Sequence, residues 1–294
     1  MEIVMQAVIS GLLMGAVYGL TALGLTLIFG IMKVINWAHG SFIMIGMFAG
    51  YWLWALTGID PYLGLIIVVP FCFVLGYFVQ DILIKPVFKS EVGVREPIGV
   101  LMLTAGLWIF LDNFALLLFG AFYRTARTSY TGLTYRIGEI LVSAPRLYAF
   151  LITIGSAYIL YVFLKKTKLG RAIRATGQDR DTASLMGIDI YHIYNISFGI
   201  AIAITGMVGA LLVPFYYVHP SAGFVFDIRA FIIVVLGGLG SIPGAILGGL
   251  LIGLIESVGA QYMTATWTQG IIFGVFLAVL YIRPSGMFGF KQEW

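Results

Sequence analysis

The sequence predicts an all-α polytopic membrane protein that forms a single transmembrane permease domain over residues 1–294. Of the 294 residues, 61% are hydrophobic and only 10% are charged, whereas about 25% of the residues of a soluble domain are charged. The mean hydropathy is +1.02, which leaves too little polar surface to cover a soluble fold. The apolar stretches lack the alternation of apolar and polar residues that membrane strands show, so they are helices.

Eight apolar elements are predicted from the intervals that contain no Asp, Glu, Lys or Arg. Most have the roughly 20 residues that a helix needs to cross a bilayer. The sixth interval is too long for one crossing, and Pro214 with His219–Pro220 predicts a helix over Tyr191–Val213 followed by a broken extracytoplasmic segment. The intervals are Ile3–Met32, Val34–Ile59, Tyr62–Gln80, Pro97–Leu111, Leu147–Leu164, Ile190–Phe226, Ala230–Ile255 and Ser257–Ile282.

The distribution of cations predicts an extracytoplasmic N-terminus. The first element has no basic n-region and no obvious cleavage site, so it is a retained helix. With the N-terminus outside, the inner connections carry ten Lys and Arg residues, from Lys33 to Arg180, and the outer connections carry five, as the positive-inside rule requires. Arg283 and Lys291 also favour the inside. One of the last elements must therefore enter and leave the membrane by the same face.

Two interruptions of the apolar pattern are candidate breaks. Four glycines and Pro243 fall within Gly237–Gly244, which predicts a broken or re-entrant helix, the alternative being a simple kink. Lys33–Ser41 places Lys, Asn, His and Ser together between the first two elements. Non-helical backbone at membrane depth persists only where protein or a water-filled cavity satisfies it, so such breaks tend to line a pathway.

Glycines repeated every four residues predict close contacts between helices. A spacing of four puts each set on one helix face, where small residues let neighbouring backbones approach. Their number indicates a tightly packed bundle and leaves room for a partner membrane subunit. The sets are Gly11, Gly15 and Gly19; Gly46 and Gly50; Gly240, Gly244 and Gly248; and Gly249 and Gly253.

Several polar side chains fall within the apolar elements, where their cost makes them functional candidates. Asn36, His39 and Ser41 form a cluster that either faces a pathway or satisfies itself inside the bundle. Asp112 and Asn113 lie in the fourth element, just beyond its charge-free interval, and Glu256 separates the last two. For the two carboxyls the alternatives are a place near the interface or a pair with Arg.

The sequence carries no pattern of an enzyme. Its three histidines fall in separate elements without ligand spacing, so no metal site is predicted. No Gly-Lys dipeptide occurs, so the chain has no Walker A loop, and ATP, if it is used, binds to another chain. We therefore expect a chain with no cofactor of its own and no affinity for nucleic acid.

The longest basic connection, residues 165–189, combines two kinds of sequence. Its first half is a cationic stretch suited to anionic headgroups. Asp179–Met186 has an acidic start and helix-forming residues, and Gly187 provides a stop. We expect a short amphipathic helix along the membrane, serving either as a topological anchor or as a docking site.

This connection resembles the inner loop of ABC importer permeases of the branched-chain amino-acid (LivH-type) family. The matching residues are Gly170-Arg171-Ala172, Arg174-Ala175, Ala183 and Gly187-Ile188. The resemblance covers nearly the whole chain in order, because three further segments match: Ile35–Gly40, Gly237–Ala245 and Arg283–Gly289. Four such motifs in register are a specific signal.

The resemblance implies a permease of the bacterial or archaeal cytoplasmic (inner) membrane with several partners. These are two ATPase subunits that bind the ATP, a second related permease or a second copy of this chain, and an extracytoplasmic solute-binding protein. It also implies a coupling helix within the cytoplasmic loop 165–189, with candidate residues Asp179, Ala183, Leu185, Gly187 and Ile188. The candidate residues of the translocation pathway are Asn36, His39, Gly40, Ser41, Asn113, Gly238, Gly240, Ser241 and Gly244.

Two other function classes are weighed against an ATP-driven importer of branched-chain or other small amino acids. A secondary transporter or channel driven by an ion gradient should display paired intramembrane carboxylates or a cation relay, whereas Asp112 and Glu256 stand isolated in the sequence. A membrane enzyme should display a nucleophile and base at recognisable spacing. The solute stays open between branched-chain amino acids, other amino acids, urea and short amides.

Overall fold

A computed structural model describes residues 2–90 and 98–289 as a bundle of membrane-length helices. Eight helices in these ranges are long and apolar enough to span a membrane, which confirms the predicted class and the number of apolar elements. The predicted cation Arg95, the first residue of the interval Pro97–Leu111 and Lys291 lie outside the described residues.

The helices are numbered in chain order. They are α1 (Glu2–Met32), α2 (His39–Thr57), α3 (Leu65–Phe78), α4 (Lys85–Ser90), α5 (Ile98–Phe119), α6 (Ala144–Lys166), α7 (Lys168–Gln178), α8 (Arg180–Leu185), α9 (Ile190–Leu212), α10 (Ala222–Gly237), α11 (Ile242–Tyr262) and α12 (Ala265–Ile282). A π-helical stretch, Val79–Ile84, joins α3 to α4. Strands β1 (Thr134–Ile137) and β2 (Ile140–Ser143) form an antiparallel hairpin with Thr134 opposite Ser143.

Some helices extend beyond the charge-free intervals of the sequence, because they include charged residues that have a partner. Arg229 of α10 forms an ion pair with Glu256 of α11. A helix continues through a charge that has a partner, because the pair shares the cost of desolvation. The predicted element Ala230–Ile255 is therefore wrong at both ends, since its two halves begin at Ala222 and end at Tyr262.

The short helix α10 accounts for the end of the bundle at which residues 283–289 lie. It has 16 residues, and the break after it brings Gly240 against Gly30, near the C-terminal end of α1. The backbone N–H groups of Met287 and Phe288 donate to the carbonyls of Leu236 and Gly237, at 2.9 and 3.1 Å. Residues 283–289 therefore lie at the same end of the bundle as Lys33. Helix α10 is shorter than the membrane-length helices, whereas α11 is long and apolar enough to span.

The repeated glycines form contacts within the chain. Gly11, Gly15 and Gly19 of α1 lie against the backbone of α11 at Gly253, Gly249 and Ile246. Gly46 and Gly50 of α2 lie against Gly206 and Ala210 of α9 in the same way. These approaches give the backbone-to-backbone packing that small residues allow in a membrane.

We expect Gly253→Ala to destabilise the protein, because an added Cβ would stand 2.4 Å from Cα of Gly15 and 2.5 Å from the carbonyl oxygen of Gly11. Overpacking of this kind costs about 1–3 kcal/mol. Gly155→Ala in α6 is the matched control, since its Cβ would meet nothing within 4 Å. Thermal unfolding of the detergent-solubilised protein measures both changes. Equal midpoints for the two variants would contradict the proposed tight contact.

Candidate functional site

The segment between α1 and α2 turns back into the membrane-spanning region. Lys33 directly follows α1 with φ +57°, and the backbone is non-helical until α2 begins at His39. The His39 ring nitrogen Nε2 lies 3.0 Å from the carbonyl oxygen of Thr21. Thr21 precedes Met32 by eleven residues, which is about 16 Å along the helix. Helix α2 therefore begins well inside the span of α1, which confirms the interruption predicted at Lys33–Ser41.

Other protein groups form hydrogen bonds with much of the non-helical backbone of this re-entrant segment, as backbone at membrane depth requires. The Trp37 N–H donates to Oγ1 of Thr104 in α5 at 3.3 Å, and the Ala38 N–H donates to Oδ1 of Asn36 at 3.0 Å. His39 is fully buried between α1 and α9, with its Nδ1 3.5 Å from the Thr205 hydroxyl. Asn36 and His39 thus hold the helix junction from within the bundle.

Helix α10 begins at the same place as α2. A Cβ on Gly223 would stand 2.0 Å from the carbonyl oxygen of Gly40, and a Cβ on Gly40 would stand 2.6 Å from that of Gly223. The first turns of these helices can touch through their backbones only because both positions are glycine. Gly40 is therefore needed for close packing at the point where two interrupted helices begin.

Two carboxyl groups lie beside this junction. The Ser41 hydroxyl donates to Oδ1 of Asp112 at 2.7 Å, and the indole N–H of Trp108 donates to Oδ2 at 2.8 Å. Asp227 of α10 packs against Gly40, where an added Cβ would stand 2.7 Å from the Asp227 Cβ. Sequence reasoning missed Asp227, because a charge between two apolar intervals indicated a loop.

Asn113 does not join this group. Its amide donates to the carbonyl of Ile109, one turn earlier in α5, at 2.8 Å, and the residue is exposed on the surface of the chain. Neighbouring residues of a helix point about 100° apart. Asp112 therefore faces Ser41 while Asn113 faces outward.

The glycine-rich break spans Gly238–Ser241 and lies at the end of the bundle that holds Lys33. Gly238 and Gly240 adopt φ values of +101° and +84°, which glycine reaches without strain. The Ser241 hydroxyl then caps α11 by accepting from the N–H of Gly244 at 3.2 Å. Gly244 itself is helical and packs on Gly237. The predicted break is confirmed, and Gly244 serves close packing rather than the turn.

The loop over residues 165–189 contains two helices, where the sequence predicted one. The cationic half forms α7, and Asp179 caps α8 by accepting from the N–H groups of Asp181 and Thr182. The Thr182 hydroxyl and these N–H groups hold the pKa of the Asp179 carboxyl below its usual range. Gly187, with φ +83°, follows the helix as predicted.

Burial distinguishes the residues of α8 from one another. Ala183 is buried within the chain, and its carbonyl accepts from the N–H of Ile188 at 3.1 Å. Leu185 and Met186 are instead 88% and 79% exposed. The side chain of Ala183 is therefore unavailable to a partner in this conformation, and the exposed apolar surface belongs to Leu185 and Met186.

The sequence of residues 7–280 matches the family profile described as "Branched-chain amino acid transport system / permease component". The chain belongs to this permease family. It is 33% identical to the high-affinity branched-chain amino acid transport system permease protein BraD of Pseudomonas aeruginosa, over 97% of this chain and 95% of the relative. It is 29% identical to LivH of Escherichia coli over the same shares, and 31% identical to a probable LivH of Methanocaldococcus jannaschii over 92% and 88%.

The permease is thus a multi-pass protein of the inner membrane and a transport subunit. Among residues 2–90 and 98–289, no group of three or more His, Cys, Asp or Glu side chains is placed to hold a metal ion. The candidate functional features of the permease are its helix breaks and a few intramembrane polar groups.

Glu256 of the permease has a structural partner. Arg229 donates to its carboxylate, and the guanidinium carbon lies 5.1 Å from the ring centroid of Tyr18 and 6.0 Å from that of Phe226. The arginine therefore ties α10 to α11 through the ion pair and to α1 through the cation–π contact with Tyr18, while its contact with Phe226 lies within α10.

We expect Arg229→Met to destabilise the permease by on the order of 3 kcal/mol, because it leaves Glu256 with an uncompensated charge. Adding Glu256→Met should recover much of that loss, since both charges are then gone. Thermal unfolding of the two variants against the unaltered permease measures the difference. A double variant less stable than the single one would show that the pair is not the reason.

Proposed function

We propose that the permease carries branched-chain amino acids inward as a membrane subunit of an ATP-driven importer. The observation that carries this proposal is the family match over residues 7–280, together with relatives near 30% identity along almost the whole chain. Because the sequence has no Walker A loop, the ATP would bind to ATPase subunits.

The proposed assembly contains two ATPase subunits, a second permease subunit and an extracytoplasmic binding protein. The second permease is either a related chain or another copy of this one. We place the N-terminus outside, because the end of the bundle that holds Lys33 also holds the cationic helix α7. Gly177 of α7 lies against Gly30, near the end of α1, which supports this arrangement.

The pathway would run past the junction of α2 and α10 towards the break at Gly238–Ser241. Gly40 and Ser41 would border it, because Asp112 and Asp227 lie beside them. Asn36 and His39 would support this wall from behind, since Asn36 bonds its own segment and His39 contacts Thr21 of α1 and Thr205 of α9. Gly238, Gly240 and Ser241 would form the inner end, with Gly244 packed beside them.

One observation favours the alternative, a carrier driven by an ion gradient. Asp112 accepts from Ser41 and Asp227 packs against the adjacent Gly40, and neighbouring intramembrane carboxylates are typical of proton or cation relays. An ATP requirement separates the two functions, because a gradient-driven carrier needs no nucleotide.

We expect proteoliposomes that contain the permease, its ATPase partners and the binding protein to take up L-leucine, L-isoleucine and L-valine only with ATP. Urea and L-glutamate are the control solutes, and a non-hydrolysable ATP analogue is the control nucleotide. Uptake that needs no ATP and collapses with an ionophore would establish the alternative. Uptake of urea alone would correct the solute.

Contact with an ATPase would fall on Leu185 and Met186. Exposed apolar side chains on a short capped helix offer a partner a fixed contact, and coupling between distant sites needs an element whose position both sites bias. Ala183 and Gly187 would then set the shape of the loop, and Asp179 and Ile188 its ends.

We expect Leu185→Glu to reduce uptake about tenfold or more and to weaken co-purification of the ATPase, since a charge would be buried in the contact. Gln178→Glu is the matched control, because it adds the same charge at another exposed position in the loop. Membrane insertion should be normal for both. Equal losses in the two variants would show that charge alone, rather than this contact, is responsible.

A further inference from the structure

An aromatic and acidic cluster lies on one side of the helix junction and is partly open. We define it by Trp37, Trp108, Phe224, Phe231, Asp112 and Asp227. The Trp108 and Phe224 rings are stacked, with centroids 5.7 Å apart, and Trp37 lies 6.4 Å from Trp108 and 6.2 Å from Phe231. Trp37 is 43% exposed and Phe224 is 45% exposed. The cluster therefore presents an apolar surface with carboxyls at its edge.

The two carboxyls of this cluster have no basic partner in the described ranges. Ion pairs there join other residues, including Asp81 with Lys85 and Glu256 with Arg229. Asp227 is only 8% exposed, and its Oδ1 atom has no hydrogen-bond partner among residues 2–90 and 98–289. A buried carboxyl oxygen without a partner is costly, so the site favours a ligand that donates hydrogen bonds or carries positive charge.

We propose that this cluster binds the ammonium group of an amino acid in transit, with the aromatic rings receiving its aliphatic side chain. An ammonium group has three donors, which suit Asp227 and the carboxylate of Asp112. Ring faces attract a cation as well as apolar groups. This site rests on the proposed function and names the solute chemistry that the pathway recognises: a primary ammonium on an apolar chain.

Neutralising either carboxyl tests the proposal in the full importer. Asp227→Asn and Asp112→Asn should each lower L-leucine uptake about tenfold or more, the range for a lost hydrogen bond to a charged group. Assembly and ATP hydrolysis stimulated by the binding protein should persist, so that more ATP is used per leucine. Glu2→Gln, which neutralises an exposed carboxyl, is the control. Wild-type uptake in both Asn variants would overturn the site.

A second measurement decides the matter if the Asn variants do not assemble. The wild-type permease and ATPase complex, without binding protein, is given isoamylamine, which is leucine without its carboxyl, or 4-methylpentanoate, which is leucine without its amine. We expect a saturable change in ATP hydrolysis with the amine only. No change with the amine, or an equal change with both, would overturn the proposal.

These outcomes are distinguishable from failure of the proposed function. A wild-type importer that takes up no branched-chain amino acid refutes the function. A wild-type importer that takes up leucine while its Asn variants do so equally refutes only the ammonium site.

Discussion

Backbone that leaves a helix at membrane depth must find its partners in the protein, and the junction of α2 and α10 depends on this requirement. Helix α2 begins at the level of Thr21, deep within the span of α1. The non-helical segment before it receives its partners from Thr104 and from its own Asn36 side chain. Once α2 and α10 both begin there, Gly40 and Gly223 must be glycines, because their backbones occupy the space of a side chain.

The same requirement explains which parts of the fold the sequence predicted. Apolar intervals identify helices such as Ile190–Leu212, because most of each span contacts lipid or apolar neighbours. The ends of α10 and α11 were not predicted, because each charge-free interval stops at the first charged residue. A helix continues past such a residue when it has a partner, as Arg229 and Glu256 do. Helix α7 was not predicted for a related reason. Its many cations obscured the helical spacing of Gly170 and Ile173, which lie on its buried face.

The candidate site was predictable in its location and only partly in its members. The polar residues of Lys33–Ser41 indicated a break in the apolar pattern. Ser41 of this segment donates a hydrogen bond to Asp112. Which side each polar residue faces depends on the depth at which α2 begins, and that depth is a tertiary property. Thus His39 lies behind the junction, Asn113 faces outward, and Asp227 enters from a helix whose start no local pattern marked.

Close backbone contacts also connect the loop to the membrane helices. Gly177 of α7 lies against Gly30 of α1, and Gly30 lies against Gly240 in the break. These contacts leave no side chain between them to absorb a shift by changing rotamer, and packed interfaces switch between arrangements rather than deform gradually. A displacement of α7 must therefore either break its contact with Gly30 or move α1 relative to the break. Because α10 runs from that break to Gly223, a movement at the break reaches Gly40 and the carboxyls beside it through a single helix.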